Sequence, residues 1–520
     1  MNQKRRTWRP LALIIILAFL ALVLIWLWPD VQRQQRYIRA AATLLASAAV
    51  AFVWFFFLSP AAIRIRLVAL VAVILSIFAV VSTVRIRGVT GDLVPILEFR
   101  WSSHRSDPPP GPAFTSTHTP ISSGNSADFP QFYGPHRNAV LDAPLLHTNW
   151  ATHPPRILWR QPVGPAWSGF AIVNNFAVTQ EQYGQDESVV CYDLFTGRRL
   201  WTHSDVARYF TTIAGEGPRA TPTISSNRVF AFGSTGILNC LDLATGKLLW
   251  SRNTAQEHNA SIPEWGFSSS PLFLDGQVIV GVGGANSHSL AAYNAIDGQF
   301  LWGAGSGGAG YSSPIAATLL GDEQILIFGS RSLRSFSPLG VQLWEHLWPG
   351  NQPRVSLPVI VNSNQVLISS GYGAGAALIE ISSVQSASTT NWSASPIWKS
   401  IALKSKFAPI FVKNDYIYGL DDGILACVEL KTGQRRWKDG RFGHGQGLLV
   451  AGLILLTSER GEVILIEPNP EKLIELGRFQ VFTSKTWNPP ALAGEYLLIR
   501  NDREAACLKL QEEARTLSEH

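Results

Sequence analysis

The chain has 520 residues, of which only 15% are charged, with 43 Gly, 31 Pro and 18 Trp; this mix argues against a helical enzyme core and for turn-rich β structure. Its net charge of +6 is unevenly held, since residues 1–100 carry 12 Lys and Arg against 3 Asp and Glu, while the remainder carry 31 against 34. The large C-terminal part therefore lacks the basic surface that nucleic-acid binding requires, and that class is set aside.

In chain order, "LALIIILAFLALVLIWLW" comes first and has no charge. With two further apolar runs it predicts transmembrane helices at about 11–28, 40–63 and 67–84, each near the length of about 20 residues that spans a bilayer. Three runs in succession read as a retained anchor over 1–88 rather than a cleaved signal. Lys4, Arg5, Arg6, Arg9, Arg64 and Arg66 fall on one side and Arg33, Arg36, Arg39, Arg85 and Arg87 on the other. That majority predicts an inside N-terminus and delivers everything after Arg87 to the outer face of a bacterial inner membrane. Residues 89–127 hold a Pro/Ser/Thr-rich run with almost no aliphatic content, which predicts a semi-extended linker.

From 128 onward one phrase recurs. "VCYDLFTGRRLW" (190–201), "NCLDLATGKLLW" (239–250) and "ACVELKTGQRRW" (426–437) are its best copies, and looser ones lie between and after them. Trp159, Trp201, Trp250, Trp302, Trp344, Trp398, Trp437 and Phe479 close successive units 39 to 54 residues apart. Such a period, with about four short strands per unit, marks a β-propeller blade. "PRILWRQPVG" (155–164) has a closing strand only and "ACLKL" (506–510) an opening strand only. The fold predicted for 128–510 is thus an all-β, eight-bladed propeller whose N- and C-terminal strands share the last blade, followed by a polar tail at 511–520. Sealing the ring removes two open sheet edges. Each closing Trp is expected to cover the neighbouring blade, and Asp-x-x-Thr-Gly to supply the turn. Cys191, Cys240, Cys427 and Cys507 share one position of the phrase, too far apart around a ring to pair, and read as small buried hydrophobes.

The Asp-x-x-Thr-Gly-x-x-x-Trp phrase resembles the tryptophan-docking motif of pyrroloquinoline-quinone (PQQ) propellers, and the series resembles bacterial PQQ-binding-like β-propeller repeat proteins. The likeness extends to "DFPQFYGPHRNAVL" (128–141), similar to a lead-in found in many exported members. It is specific for fold. For function it implies two readings, because the family includes dehydrogenases as well as the propeller lipoprotein of the outer-membrane β-barrel assembly machinery. PQQ with calcium is implied by this resemblance alone. The dehydrogenases hold calcium through Glu, Asn and Asp, and here Glu216 or Glu264 with Asn488 are the nearest equivalents. No adjacent cysteines occur, and no Asp lies in the segments that lead into the inner strands, so no catalytic base is carried over and no catalytic or metal residue is assigned.

Those segments follow each closing Trp. They offer Glu216, Arg219, Trp265, Tyr311, Arg354, Lys406, His444, Gln446, Trp487 and Asn488. Converged on an axis, their cations would favour an anionic ligand and their aromatic faces would stack on it. The plainer expectation is that they bond to loops or water in a channel that binds nothing. Gly-rich "GVGGANS" and "GSGGAGYSS" lack the Lys-Ser/Thr of a phosphate loop and read as tight packing, and no Gly-x-Ser-x-Gly elbow or His-x-x-x-His pair occurs. The sequence therefore reads as a membrane-anchored periplasmic binding or scaffold module, with the bilayer and a protein or peptide on one face as partners. The alternative is a PQQ- or metal-dependent oxidoreductase.

Overall fold

A computed structural model describes residues 8–28, 31, 33–102, 128–284, 288–386 and 390–510; the expected polar tail and most of the expected linker lie outside them. Two compact units result, the N-terminal helices and the propeller.

The first unit holds three helices, α1 (Arg9–Leu27), α2 (Arg33–Leu58) and α3 (Ile63–Thr83), all long and apolar enough to cross a membrane. Neither α1 nor α3 buries a single residue. A helix apolar all round and uncovered by protein has its stable environment in lipid. α2 starts earlier than its apolar run because three arginines extend it as a polar first turn and a half, and it stops at Leu58 because Pro60 cannot continue it. Trp8 packs edge-on against Trp54 at 5.6 Å, so α1 and α2 run antiparallel. A hairpin not foreseen in the sequence follows α3, with strands Val84–Val89 and Pro95–Phe99.

The second unit is a ring of eight four-stranded antiparallel sheets. We number the blades from Ala171–Val206 (blade 1) to Ala491–Lys509 plus Arg156–Pro162 (blade 8). The closure is as expected: Cys507 pairs with Trp159 and Leu508 with Ile157, so the strand at 156–162 completes the C-terminal sheet. Arg160 bonds Glu504 across the seam at 2.6 Å. Behind the seam, the wholly buried Arg500 of blade 8 donates to Gly164 O (2.7 Å), Thr179 Oγ1 (2.8 Å) and Gln180 O (3.0 Å), and stands 3.8 Å from the equally buried Glu181 of blade 1.

The recurring phrase docks each blade on the next. Asp193 accepts the Thr196 N–H and hydroxyl, fixing a turn in which Gly197 takes a φ of +71°. The Trp159 ring lies flat on that glycine, where a methyl would stand 2.7 Å away, and its indole N–H donates to Leu194 O at 2.8 Å. Trp201 on Gly246, Trp250 on Gly298, Trp302 on Gly340 and Trp398 on Gly433 repeat the contact. Trp437 reaches Asn469 O of blade 7. Trp344 differs: its N–H turns back to Gln324 of its own blade, as that of Trp302 does to Gln277, but its ring meets no glycine of the next blade. The next blade replaces the Thr-Gly turn with a long hairpin, Gly375–Gln385 and Thr390–Ser400, and so offers no glycine to receive the ring. All four cysteines are unpaired and buried, each opposite the closing Trp of its own blade.

The hub is filled by the segment at 128–141. Phe129 bridges Ile172 of blade 1, Pro130 O accepts from Ile224 of blade 2, and Arg137 donates to Ser270 O (2.9 Å) and Pro271 O (2.8 Å) of blade 3. Tyr133 reaches Gln446 of blade 7 at 2.6 Å, and Val140–Leu141 adds a parallel strand to the inner edge of that blade. Phe129, Tyr133, Arg137 and Ala139 are at most 3% exposed. The expected axial channel is thus occupied by the chain itself.

Candidate functional site

Six of the eight inner strands are approached by a descending segment ending in Pro, "ATP", "SSP", "SSP", "SLP", "FAP" or "NPP". These segments bond blade to blade around the hub. Gly169 N donates to Thr221 Oγ1 (3.0 Å), Thr221 N to Ser270 Oγ (2.9 Å), and Ser270 N to Ser313 Oγ (2.9 Å). Ser312 continues to Ser356 O and Ser356 to Ser405, while Asn488 donates to Ala166 O and Ser168 O (3.0 and 2.8 Å). Small hydroxyl side chains suit the position because they satisfy a neighbour's backbone N–H without filling the narrow hub.

This girdle sorts the ten predicted residues. Asn488 belongs to it, and Gln446 is held between the Tyr133 hydroxyl and Phe407 O. Arg354, 3% exposed, is caged by the carbonyls of Ser330, Trp348, Pro349, Gly350 and Gln352, so it braces its loop and does not face a ligand. Glu216 is half-buried and paired with Arg208 at 2.8 Å.

The other six gather on the mouth side with residues the sequence reading passed over. Trp487 lies 5.1 Å from Trp167 and 5.3 Å from Phe407, which approaches His444 at 5.8 Å. Phe407 and Trp487 come from blades 6 and 8, two apart in the ring, so their rings point towards the axis. The nearly buried Lys406 ammonium is 3.4 Å from His444 Nε2 and 5.2 Å from the Tyr372 ring. Lys485 sits over Trp487 at 3.8 Å and Trp167 at 4.5 Å. On the facing side Tyr311 lies against Trp265 at 5.0 Å with the rings tilted by 30°, and Arg219 lies over Tyr209 at 5.0 Å. The Trp265 indole N–H is buried and has no hydrogen-bond partner among the described residues.

The acids of this rim come from its second set of turns. Glu459 accepts from Trp487 Nε1 and His444 N, both at 3.0 Å. Burial raises the Asp422 carboxyl above its usual range, with Lys404 opposing, and raises Glu187 against the pull of Ser234 and Arg219. Burial likewise draws Arg219 down to about 10, opposed by Glu187, and pushes the Tyr372 phenol up to about 12. Charges held in so poorly solvated a rim act strongly on one another and on a ligand. Trp167 was legible, as blade 1's counterpart of the other descending segments, and Phe407 and Lys485 adjoin residues already singled out. Tyr372, Asp422 and Glu459 sit in turns ("GYG", "DDG", "SERG") that read as ordinary turn chemistry.

A groove of about 730 Å³ opens between blades 5 and 6 on the opposite face, lined by Val361, Leu378, Ile397, Tyr416 and Leu430 among others. It shares no residue with the rim.

The family described as outer membrane protein assembly factor BamB has a model that matches residues 185–439, a stretch that includes the three best copies of the docking phrase. The chain is an eight-bladed β-propeller with PQQ-like repeats. The ring resembles the crystal structure of BamB from Moraxella catarrhalis, with a TM-score of 0.50 at 15% identity over 69% of this chain and 99% of that one. It also resembles quinohemoprotein alcohol dehydrogenase from Comamonas testosteroni, with a TM-score of 0.52 at 12% identity over 76% and 82%. The computationally designed Ika8 protein gives 0.51 at 12% over 68% and 100%. Likeness at such identities shows the fold alone. No curated protein matches the sequence.

Proposed function

We propose that this protein is a membrane-anchored, extracytoplasmic PQQ-type propeller that acts as a binding module, taking an anionic ligand or an acidic peptide at the mouth of its hub. The observation that carries this reading is the rim itself, where Lys406, Arg219, Lys485 and His444 alternate with Trp265, Tyr311, Phe407 and Trp487. The unpartnered Trp265 N–H supplies a donor for a ligand oxygen. The predicted orientation of the three helices, with more basic residues on the N-terminal side, carries the ring to the outer face.

The rival, a calcium-PQQ dehydrogenase, needs a Glu, an Asn and an Asp around one cation beside a free arginine. Glu216 and Arg354 do not fit those roles, being held by Arg208 and by a carbonyl cage, while Asn488 gives its amide hydrogens to two backbone carbonyls and keeps a buried Oδ1 with no partner among the described residues. Among the described residues no three His, Cys, Asp or Glu side chains form a metal-holding group.

The test uses the full chain in native membranes with benzoylphenylalanine at Trp265 or Tyr311. Photocrosslinking to a specific neighbour that Lys406→Glu abolishes supports the binding module. Reduction of a redox dye with alcohols or aldoses after adding PQQ and Ca²⁺ overturns it in favour of the enzyme. An alkaline phosphatase fused after His520 is expected to be active, and its inactivity overturns the outward orientation.

A further inference from the structure

We propose that the hairpin after α3 is an in-plane membrane anchor, its apolar face seated in the lipid interface; this rests on reading the three helices as spans. The strand Val84–Val89 begins at the residue after Thr83, where α3 ends, so no linker separates the hairpin from the bilayer boundary. Val84 pairs with Phe99 and Ile86 with Leu97, and directly opposed residues of antiparallel strands share a face. Ile86, Leu97 and Phe99 are 50%, 66% and 56% exposed, and Trp101, 67% exposed, stacks on Phe99 at 5.1 Å with planes 12° apart. The opposite face holds the Arg85–Glu98 ion pair at 3.1 Å. A two-stranded hairpin that turns its large apolar side chains outward is marginal in water, and its amphipathy is that of an element lying between water and lipid.

The hairpin is also fixed at that level. Arg100 donates its backbone N–H to Thr83 O (2.9 Å) and its Nε to Val81 O (2.8 Å), satisfying carbonyls of the last turn of α3 at the point where hydrocarbon gives way to headgroups. A cation there also complements the negative end of the helix. The hairpin's turn is tied to the start of α2 by Arg33 and Asp92 at 3.6 Å, and beside it Trp26 packs edge-on against Tyr37 at 5.6 Å. Phe99 and Trp101 therefore join an aromatic belt at one end of the bundle, the usual level of Trp and Tyr at the headgroups. Exposed Val80 and Val81 make the apolar surface continuous from α3 onto the hairpin. The occupant of this face is therefore the lipid interface, entered to about 5–10 Å.

The experiment places bimane at Leu97→Cys, with Phe99→Cys as a second reporter, in the full chain reconstituted into phosphatidylcholine–phosphatidylglycerol vesicles. The four native cysteines are fully buried and do not compete for the label. Lipids carrying a nitroxide near the glycerol are expected to quench both reporters severalfold more than one at Glu98→Cys on the opposite face. A reporter at Ile74→Cys in α3 is expected to be quenched by a mid-chain nitroxide. If Ile74 is quenched and neither hairpin reporter exceeds Glu98, the anchor is refuted while the spans stand. If Ile74 is not quenched, the span reading falls and the anchor with it. Reporters shielded from water yet untouched by lipid nitroxides mean that protein covers the face, which also overturns the proposal.

Discussion

Blade 3 contains two glycines whose backbones are alike and whose surroundings are not. Gly276 has a φ of +74° with nothing within 4 Å of an added methyl, whereas Gly298 has a φ of +72° and would place that methyl 2.7 Å from the Trp250 ring. Alanine at either position pays the same left-handed strain, of order 1–2 kcal/mol, and gains the same relief in the unfolded chain. Only Gly298→Ala must also displace an indole that is 8% exposed and bonded to Ala295 O at 3.2 Å. Overpacking of this kind costs about 1–3 kcal/mol. Spread over a ring of this size, at about 2.1 cal/mol/K per residue, that lowers the melting temperature by roughly 1–4 °C more than Gly276→Ala does. Scanning calorimetry of the detergent-solubilised chain measures the difference. In a Trp250→Ala background the two alanines should become equivalent. Equal effects of the two substitutions with Trp250 in place would refute the view that the glycine exists to receive the ring.

Three further outcomes follow from the seam, the hub and blade 3. Arg500→Met leaves Glu181 buried without its counter-charge and the acceptors at Gly164, Thr179 and Gln180 without a donor, and should destabilise the ring by about 3–5 kcal/mol in denaturant unfolding, with much of the loss recovered when Glu181→Leu is added. Tyr133→Phe removes a hydroxyl that bonds Gln446, and should cost about 0.5–1.5 kcal/mol by the same measurement. Burial, His288 and Arg252 pull the His258 imidazole down to about 4, with its Nδ1 3.0 Å from that of His288 and its Nε2 2.8 Å from the Tyr293 hydroxyl, which bonds Glu257. A base with a depressed folded pKa binds more protons unfolded, so its stability contribution is complete above about 6.5 and is lost as pH falls towards 4. Thermal scans at pH 7 and 5 should therefore show a smaller drop in His258→Gln than in the parent.

The ring was legible because its determinants are local and repeated. Trp, Gly and the Asp-Thr pair stand at fixed offsets, and the two half-phrases at Trp159 and Cys507 announced the seam. The hub was not legible, because Phe129, Tyr133 and Arg137 act on partners from 43 to 313 residues away, and nothing in their own neighbourhood states it. Arg354 misled for a related reason: an arginine that binds four carbonyls of its own loop and that of Ser330 has the same one-letter signature as one that awaits a ligand. The hairpin at 84–99 was hidden by its inverted pattern, since outward apolar residues next to a span look like the end of the span.

The seam has a consequence for biogenesis. Arg160 and Glu504, which meet across it, lie 344 residues apart in the chain. In the outward orientation proposed above, the ring cannot shut until its final strand has cleared the translocation pore. Until then the strand at 156–162 waits with its single ladder unmade, and a product truncated before Glu504 would carry that raw margin permanently, open to proteolysis.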